Sequence, residues 1–241
     1  SGAANVTGKK IVRGLPMRGG GSGPAGLLWS VDALVRANFV GGSAVWAFDE
    51  VTSGTSVLSP SSIIEYDGVY YWCGVDRFLM FNGVVRDVEN QMNTNYFFDN
   101  LNYSQRMKVF AFKVPRFGEI WWCYPSGEST EPDRAVIYNV RENCWYDTAL
   151  PNGGRGAGIF PTVFRRPLLT GVVDNGIGYK LWVHEIGTDE VDGADTNPIP
   201  SYFETADISL PIQAGDNRSL QVITIEPDFV QAGDMTVQVK G

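Results

Sequence analysis

Apolar residues along this chain come in short runs, each broken by glycine, proline, asparagine or aspartate, and few stretches keep a helical stripe. That rhythm predicts β-strands joined by tight turns. From Leu27 onward the strand candidates are 27–30, 33–40, 44–48, 62–66, 69–73, 78–81 and 84–85. After a break they resume at 109–113, 119–124, 135–140, 144–146, 162–164, 168–173, 179–185, 201–209, 220–229 and 235–239. Asp67-Gly68 and Asn82-Gly83 sit between β-rich runs and predict hairpins, because both residue types tolerate the positive φ that such turns need. The segment 87–108 differs. Val88, Met92, Tyr96 and Leu101 are loosely helix-spaced among many Asn and Gln, which predicts one or two short helices carried on a loop.

Internal similarity refines the picture. Gly68-Val69-Tyr70-Tyr71-Trp72, Gly118-Glu119-Ile120-Trp121-Trp122 and Gly178-Tyr179-Lys180-Leu181-Trp182 each start on glycine and run into an aromatic-rich strand. Trp72, Trp122 and Trp182 stand about 50 and about 60 residues apart, a spacing that fits four-stranded propeller blades with loop insertions. A fainter copy begins at Gly26-Leu27-Leu28-Trp29. One such sheet cannot bury both faces alone, so the aromatics are expected to fill the space between neighbours. The fold class expected is all-β, with β-propeller-like repeats of antiparallel sheets. About four repeats make a partial propeller: either sequence outside this chain completes the ring, or the last strands form a separate sandwich-like element.

The domain reading is a glycine-rich linker or arm over 1–25, propeller-like repeats over 26–200, and C-terminal strands over 201–241. Lys9, Lys10, Arg13 and Arg18 are spread through the arm, and Gly19-Gly20-Gly21-Ser22-Gly23-Pro24 closes it. A phosphate-binding loop needs Gly-Lys-Ser/Thr opening a helix, and Pro24 stands there instead. The arm therefore reads as a flexible connection with solvated charges. The chain opens on Ser1-Gly2-Ala3-Ala4 without the charged and apolar regions of a signal peptide, and without Met, as a piece of something longer would.

Composition supports this class. Charged residues make up only 19% against 44% hydrophobic, so disorder is not expected. The formal net charge of −8 gives the chain no general pull toward nucleic acid or an anionic membrane. No apolar run approaches the ~20 residues that span a bilayer as a helix.

Candidate chemistry is thin. Cys73, Cys123 and Cys144 form no CxxC pair and read as reduced thiols packed as small hydrophobes. Asp49 with Glu50, Asp189 with Glu190, and Glu226 with Asp228 are carboxylate pairs of the kind glycosidases use, and equally the kind that solvates loops. The run from Asp189 through Asp192 and Gly193 to Asp195 is acidic enough to attract calcium, but it lacks the spacing of a dedicated calcium loop. His184 is the single histidine, without a Gly-x-Ser-x-Gly elbow to serve, and is expected to be satisfied by packing in its strand. Tyr96, Phe97 and Phe98 read as exposed aromatics that stack on sugars or bases, anchor a helix on a sheet, or join a protein interface. No catalytic, cofactor-binding or metal residue is assigned.

Four stretches carry a resemblance. They are Ser59-Pro60-Ser61-Ser62-Ile63-Ile64-Glu65-Tyr66-Asp67-Gly68-Val69-Tyr70-Tyr71-Trp72 running into Gly74-Val75-Asp76-Arg77-Phe78, and Asn95-Tyr96-Phe97-Phe98-Asp99-Asn100-Leu101-Asn102-Tyr103. The others are Val136-Ile137-Tyr138-Asn139-Val140-Arg141-Glu142-Asn143-Cys144-Trp145-Tyr146 and Phe203-Glu204-Thr205-Ala206-Asp207-Ile208. Together, over roughly 8–240, the chain resembles structural proteins of short-tailed phages, in the tail-tube or nozzle group that carries a β-propeller. The resemblance implies a non-enzymatic virion component made in the bacterial cytoplasm. It also implies a six-fold ring of copies docked to other tail proteins, with DNA passing through and little specific binding. Family members are usually much longer, which puts a complete propeller in doubt. The rival readings are a carbohydrate-binding propeller lectin and a glycosidase-type propeller enzyme.

Overall fold

The computed structural model describes residues 10–17, 23–89, 95–174, 178–202, 204, 223–226 and 235–238. It is all-β and propeller-like, in two compact units, Ser1–Gly187 and Thr188–Gly241. The first sheet comprises β1 (Ile11–Pro16), β2 (Ala25–Ser30), β3 (Leu34–Phe39) and β4 (Trp46–Thr52). The second comprises β5 (Ile64–Tyr66), β6 (Val69–Cys73), β7 (Phe78–Phe81) and β8 (Val85–Asp87). A third follows with β9 (Phe110–Val114), β10 (Glu119–Tyr124), β11 (Arg134–Asn139) and β12 (Cys144–Ala149). The fourth has three strands, β13 (Arg155–Ile159), β14 (Leu168–Asp174) and β15 (Tyr179–Val183). The second unit carries one described hairpin, β16 (Asp189–Asp192) with β17 (Asp195–Pro198). In every sheet each strand pairs antiparallel with its neighbour in sequence. The first strands draw together: β9 lies against β5 on one side and β13 on the other, as inner strands of propeller blades do.

Side-chain alternation explains why the sheets stack. Successive side chains on a strand leave to opposite faces. On β6, Tyr70 and Trp72 enter a core shared with Leu27, Trp29 and Leu34 of the first sheet. Tyr71 and Cys73, on the other face, enter a core shared with Ile120, Trp122 and Tyr124 of β10. The intervening residues of β10, Trp121 and Cys123, turn to the fourth sheet and its Leu169. Two middle strands are thus coated on both sides. Trp29 meets Trp72 edge-on at 5.8 Å, and Trp122 stacks on Trp145 at 5.9 Å.

Short polar connections lock the stack. The 3-10 turn Pro60–Ser62 is capped by Ser59, whose Oγ accepts from the Ser62 amide at 3.1 Å and donates to the Val109 carbonyl. Arg13 of β1 donates to the Pro60 carbonyl at 2.8 Å, and the Trp122 indole donates to the Ser62 carbonyl at 2.9 Å. One turn therefore ties the first sheet to the third. At the hairpin, Asp67 and Gly68 have φ of 49° and 82°, and Tyr66 pairs with Val69, as the sequence predicts for a two-residue turn. Gly158 on β13 permits close approach, since a Cβ there would lie 2.6 Å from the Phe112 ring of β9.

Helix falls where expected, in α1 (Asn95–Asn100) and the 3-10 turn Tyr103–Lys108. Other expectations need correction. Residues 11–16 are not linker but β1: Leu15 and Met17 alternate into the first core, and a bulge between Ile11 and Arg13 lets Val12 join them. Lys9 and Arg18 lie outside the described residues. The Asn82-Gly83 hairpin closes with three residues, Phe81 pairing with Val85. Trp182 is not the counterpart of Trp72 and Trp122. It sits half-buried on the third strand of its sheet, whereas the fainter copy at Trp29 occupies the matching second strand. The C-terminal strands expected over 201–241 fall largely outside the described residues. Those described there, 201–202, 204, 223–226 and 235–238, carry no strand.

Trp72 and Trp122 are fully buried, so truncating either to Ala is expected to cost roughly 3–5 kcal/mol in denaturant unfolding. Trp182→Ala is expected to cost clearly less. A Trp122→Ala chain within about 0.5 kcal/mol of wild type, the range of a surface change, would refute the stacking described above.

Candidate functional site

The acidic pairs do not converge. Asp49 and Glu50 are neighbours on β4 and leave to opposite faces. Asp49 accepts from Asn38 at 2.9 Å and pairs with Arg36, while Glu50 stands opposite Val35. In the β16–β17 hairpin, turned by Gly193 at φ 65°, Asp189 and Glu190 leave to opposite faces, while Asp192 and its cross-strand partner Asp195 share the face of Glu190. Glu226 is exposed and Asp228 lies outside the described residues. Among the described residues no three Asp, Glu, His or Cys side chains come together as metal ligands would. Cys73 and Cys123 are buried in different cores inside the stack, where burial pushes both thiols up; Cys144 is half-buried.

The aromatics of α1 are not the exposed platform that a sugar-binding reading needs. Phe97 is buried against Phe78 and Tyr124, and Phe98 packs on the same core. Tyr96 accepts from Arg134 at 2.8 Å. They anchor the helix on the sheets.

Polar groups do gather at the joint between the third and fourth sheets. Glu119, the first residue of β10, is buried and accepts from the Trp121 indole at 2.9 Å and from the Tyr146 hydroxyl. Burial, together with that carboxylate, pushes the Tyr146 phenol far up. Across the joint, Arg155 is buried, lies 4.4 Å from the Trp182 ring centre, and donates to the carbonyls of Pro151 and Gly154. Its Nε donates to His184 Nε2 at 3.3 Å, and Trp121 meets the imidazole edge-on. A guanidinium only donates, so His184 Nε2 must hold a lone pair and the neutral ring carries its proton on Nδ1. Burial first, and Arg155 second, hold the imidazole down at about 4. Sequence reading places His184 in a packed strand; Arg155 and Glu119 carry no signal in sequence, because their burial comes from a partner sheet.

The end sheets expose the other unusual surfaces. On the first sheet, the face turned away from the second is floored by Gly14, Gly26, Leu28 and Ala37 and walled by Trp46 and Phe48, around a groove of about 420 Å³. Of these side chains only the Trp46 indole can hydrogen-bond. On the fourth sheet, Leu169 and its partner Trp182 face the third sheet, so Leu181 and Val183 project outward, exposed. Ile159 and Tyr179 are exposed beside them.

No family model matches this chain, and no curated protein does. Among solved structures it is similar to a protein described as TolB from Agrobacterium tumefaciens. That likeness has 14% identity and a TM-score of 0.40, covering 74% of this chain and 58% of the other. It is also similar to a 2S albumin seed protein from Dolichos (9% identity, TM-score 0.32, 79% of this chain and 95% of that one). A third likeness is to the hemopexin-fold protein CP4 from cow pea (10%, TM-score 0.29, 73% and 88%).

The His184 joint sets a pH dependence. Above pH about 6.5 the imidazole is neutral folded or unfolded; between 6.5 and 4 the unfolded chain takes up a proton that the folded chain refuses. Stability is therefore expected to fall with pH across that window, by up to about 1.4 kcal/mol per unit. Near its lower end Glu185, held up by burial and by Glu119, opposes the trend. Urea midpoints at pH 7.5, 6.5 and 5.5 test this. His184→Gln should flatten the profile, and an unchanged slope would show that other groups carry it.

Proposed function

We propose that this chain is a non-enzymatic structural component of a phage virion tail, of the tail-tube or nozzle group, which works by packing against its neighbours. The kinship rests on the four stretches quoted above. Two of them form parts that build the stack: Ser59-Pro60-Ser61-Ser62 is the turn that ties the first sheet to the third, and Asn95–Asn100 is the helix plugged into the second core. The observation that carries the reading is that the stack ends on an apolar, exposed sheet face at each side. An enzyme working alone has no use for two such faces, and an assembly component needs them. The net charge of −8 suits a wall that DNA slides past.

The direct test is composition of the particle. Purified tailed particles encoded by the genome that carries this sequence should contain the chain in several copies. Deleting it should leave particles that cannot deliver DNA. Absence from the particles would sink the proposal, and turnover of chromogenic glycosides or capture on a glycan array would favour the enzyme or lectin instead.

Duplex DNA should bind weakly or not at all. The basic residues of 9–18 offer about four phosphate contacts, and a salt slope of roughly −0.9 per contact removes such binding quickly toward physiological salt. Arg13 is further engaged on Pro60. Tight binding by the isolated chain that survives about 150 mM salt, and is lost on neutralising Lys9, Lys10, Arg13 and Arg18, would overturn the passive wall and place a grip in the N-terminal arm.

A further inference from the structure

The joint between the third and fourth sheets differs from the others in the unit: besides its rings and aliphatics it holds a buried cation resting on a neutral imidazole. Arg155 is the first residue of β13 and His184 directly follows β15, so both belong to the fourth sheet. Both also reach the third. The Arg155 amide donates to the Pro132 carbonyl at 2.7 Å, and the His184 ring meets Trp121 of β10 edge-on at 6.1 Å. The guanidinium is held by the Pro151 and Gly154 carbonyls and by the Trp182 ring, and its Nε donates to His184 Nε2. A second proton on this ring has one place to go, Nε2, which is the atom the guanidinium already uses. Protonation therefore replaces a hydrogen bond with two cations whose nitrogens lie 3.3 Å apart. Out of water, such a pair repels far more strongly than at a surface.

We propose that this joint is an acid-sensitive latch: a proton on His184 Nε2 parts the third and fourth sheets and frees the fourth, while the first three stay stacked. The latch goes beyond the structural role proposed above and stands whether or not the chain is a tail component. Within its unit the fourth sheet is held by one joint, so it can open alone. Once it opens, the ring reaches water, takes its proton and parts from Arg155. The charged and titratable groups around the pair come from several elements. Glu119 and Cys123 stand on β10, Tyr146 on β12, Arg166 in the loop before β14, and Glu185 follows the ring in the chain. Lys180 lies over the same Trp182 ring as Arg155. Glu119 is already engaged by the Trp121 indole and the Tyr146 hydroxyl, and what acts on the imidazole is burial first and Arg155 second. Glu185 works the other way. Burial and Glu119 hold its carboxyl up, so it takes a proton more readily folded than unfolded and tightens the joint as pH falls. The latch is therefore read between pH 7.5 and 5.5, above the ordinary range of carboxylates. His184 is the only histidine of the chain, and no other side chain ordinarily titrates in that window.

Amide hydrogen exchange on the full chain at pH 7.5, 6.5 and 5.5, corrected for the intrinsic effect of pH and repeated in low urea, reads each sheet separately. Amides of Leu168–Asp174 and Tyr179–Val183 are expected to open with little urea dependence, the mark of a local event. Their protection should fall about tenfold from pH 7.5 to 5.5, since the opened ring titrates near 6.5 and the closed one at about 4. Val69–Cys73 should stay better protected at every pH, with the steep urea dependence of global unfolding. His184→Gln still offers Arg155 an acceptor but never charges, so the fourth sheet's protection should become flat across the range. If that variant does not fold, the wild type answers alone. Its single imidazole, followed by NMR, should stay neutral with the proton on Nδ1 down to pH 5.5. An imidazole that titrates near 6.5 in the folded chain overturns the latch. So does fourth-sheet opening that is flat with pH or that shares the urea dependence of Val69–Cys73. A folded His184→Gln chain that keeps the wild-type pH slope overturns it as well, by assigning the slope to other groups.

Discussion

Every residue of Glu119–Tyr124 is buried, although side chains along a strand point alternately to opposite faces. A strand in that condition must be covered on both sides, and the rest of the unit follows from supplying the covers. Ile120, Trp122 and Tyr124 require the second sheet; Trp121 and Cys123 require the fourth. Val69–Cys73 imposes the same demand one sheet earlier, with Trp72 facing the first sheet and Tyr71 facing the third. Large aromatics meet it because each removes much apolar surface from water while ordering few torsions.

The joints are not chemically alike, and the difference decides their responses. The first two are filled with rings and aliphatics, and their strength depends on area and fit. The third adds Glu119, Arg155 and His184, whose value depends on every partner being in place. Taking a hydrogen-bond partner from buried Glu119 or Arg155 leaves a polar group short of a bond, so this joint is more sensitive to substitution than the apolar joints are. The Pro60–Ser62 turn, held by Ser59, Arg13 and Trp122, adds direction rather than bulk: backbone carbonyls accept bonds that fix how neighbouring sheets are set.

Much of this was legible in sequence where local chemistry and final environment agree. Asp67-Gly68 is a hairpin turn by its own φ preferences, and the runs around Trp72 and Trp122 are strands by β-branched and aromatic content. The helix at 95–100 interrupts an otherwise period-two chain. Legibility failed where the environment is supplied from elsewhere. β1 hides between glycines and lysines, and only its contacts with Leu27 and Trp29 reveal Val12 and Leu15 as core. The Gly-aromatic-Trp phrase at Trp182 matches the others as text, yet it lies on the last strand of an end sheet, where Arg155 takes one side of the ring. Phe97 and Phe98 look like a binding platform until the second and third sheets close over them. The apolar end faces were the least legible, because a strand that ends a stack reads the same as a strand inside it.

Amide hydrogen exchange followed residue by residue tests the central claim, that the doubly covered strands hold the unit together. Opening a strand in the middle of a stack requires separating two joints, whereas an end sheet opens by losing one. The amides of Val69–Cys73 and Glu119–Tyr124 should be the slowest in the chain and exchange only with global unfolding, with Trp46–Thr52 and Tyr179–Val183 faster. Exchange in Glu119–Tyr124 as fast as in Trp46–Thr52 would contradict the face-to-face stack.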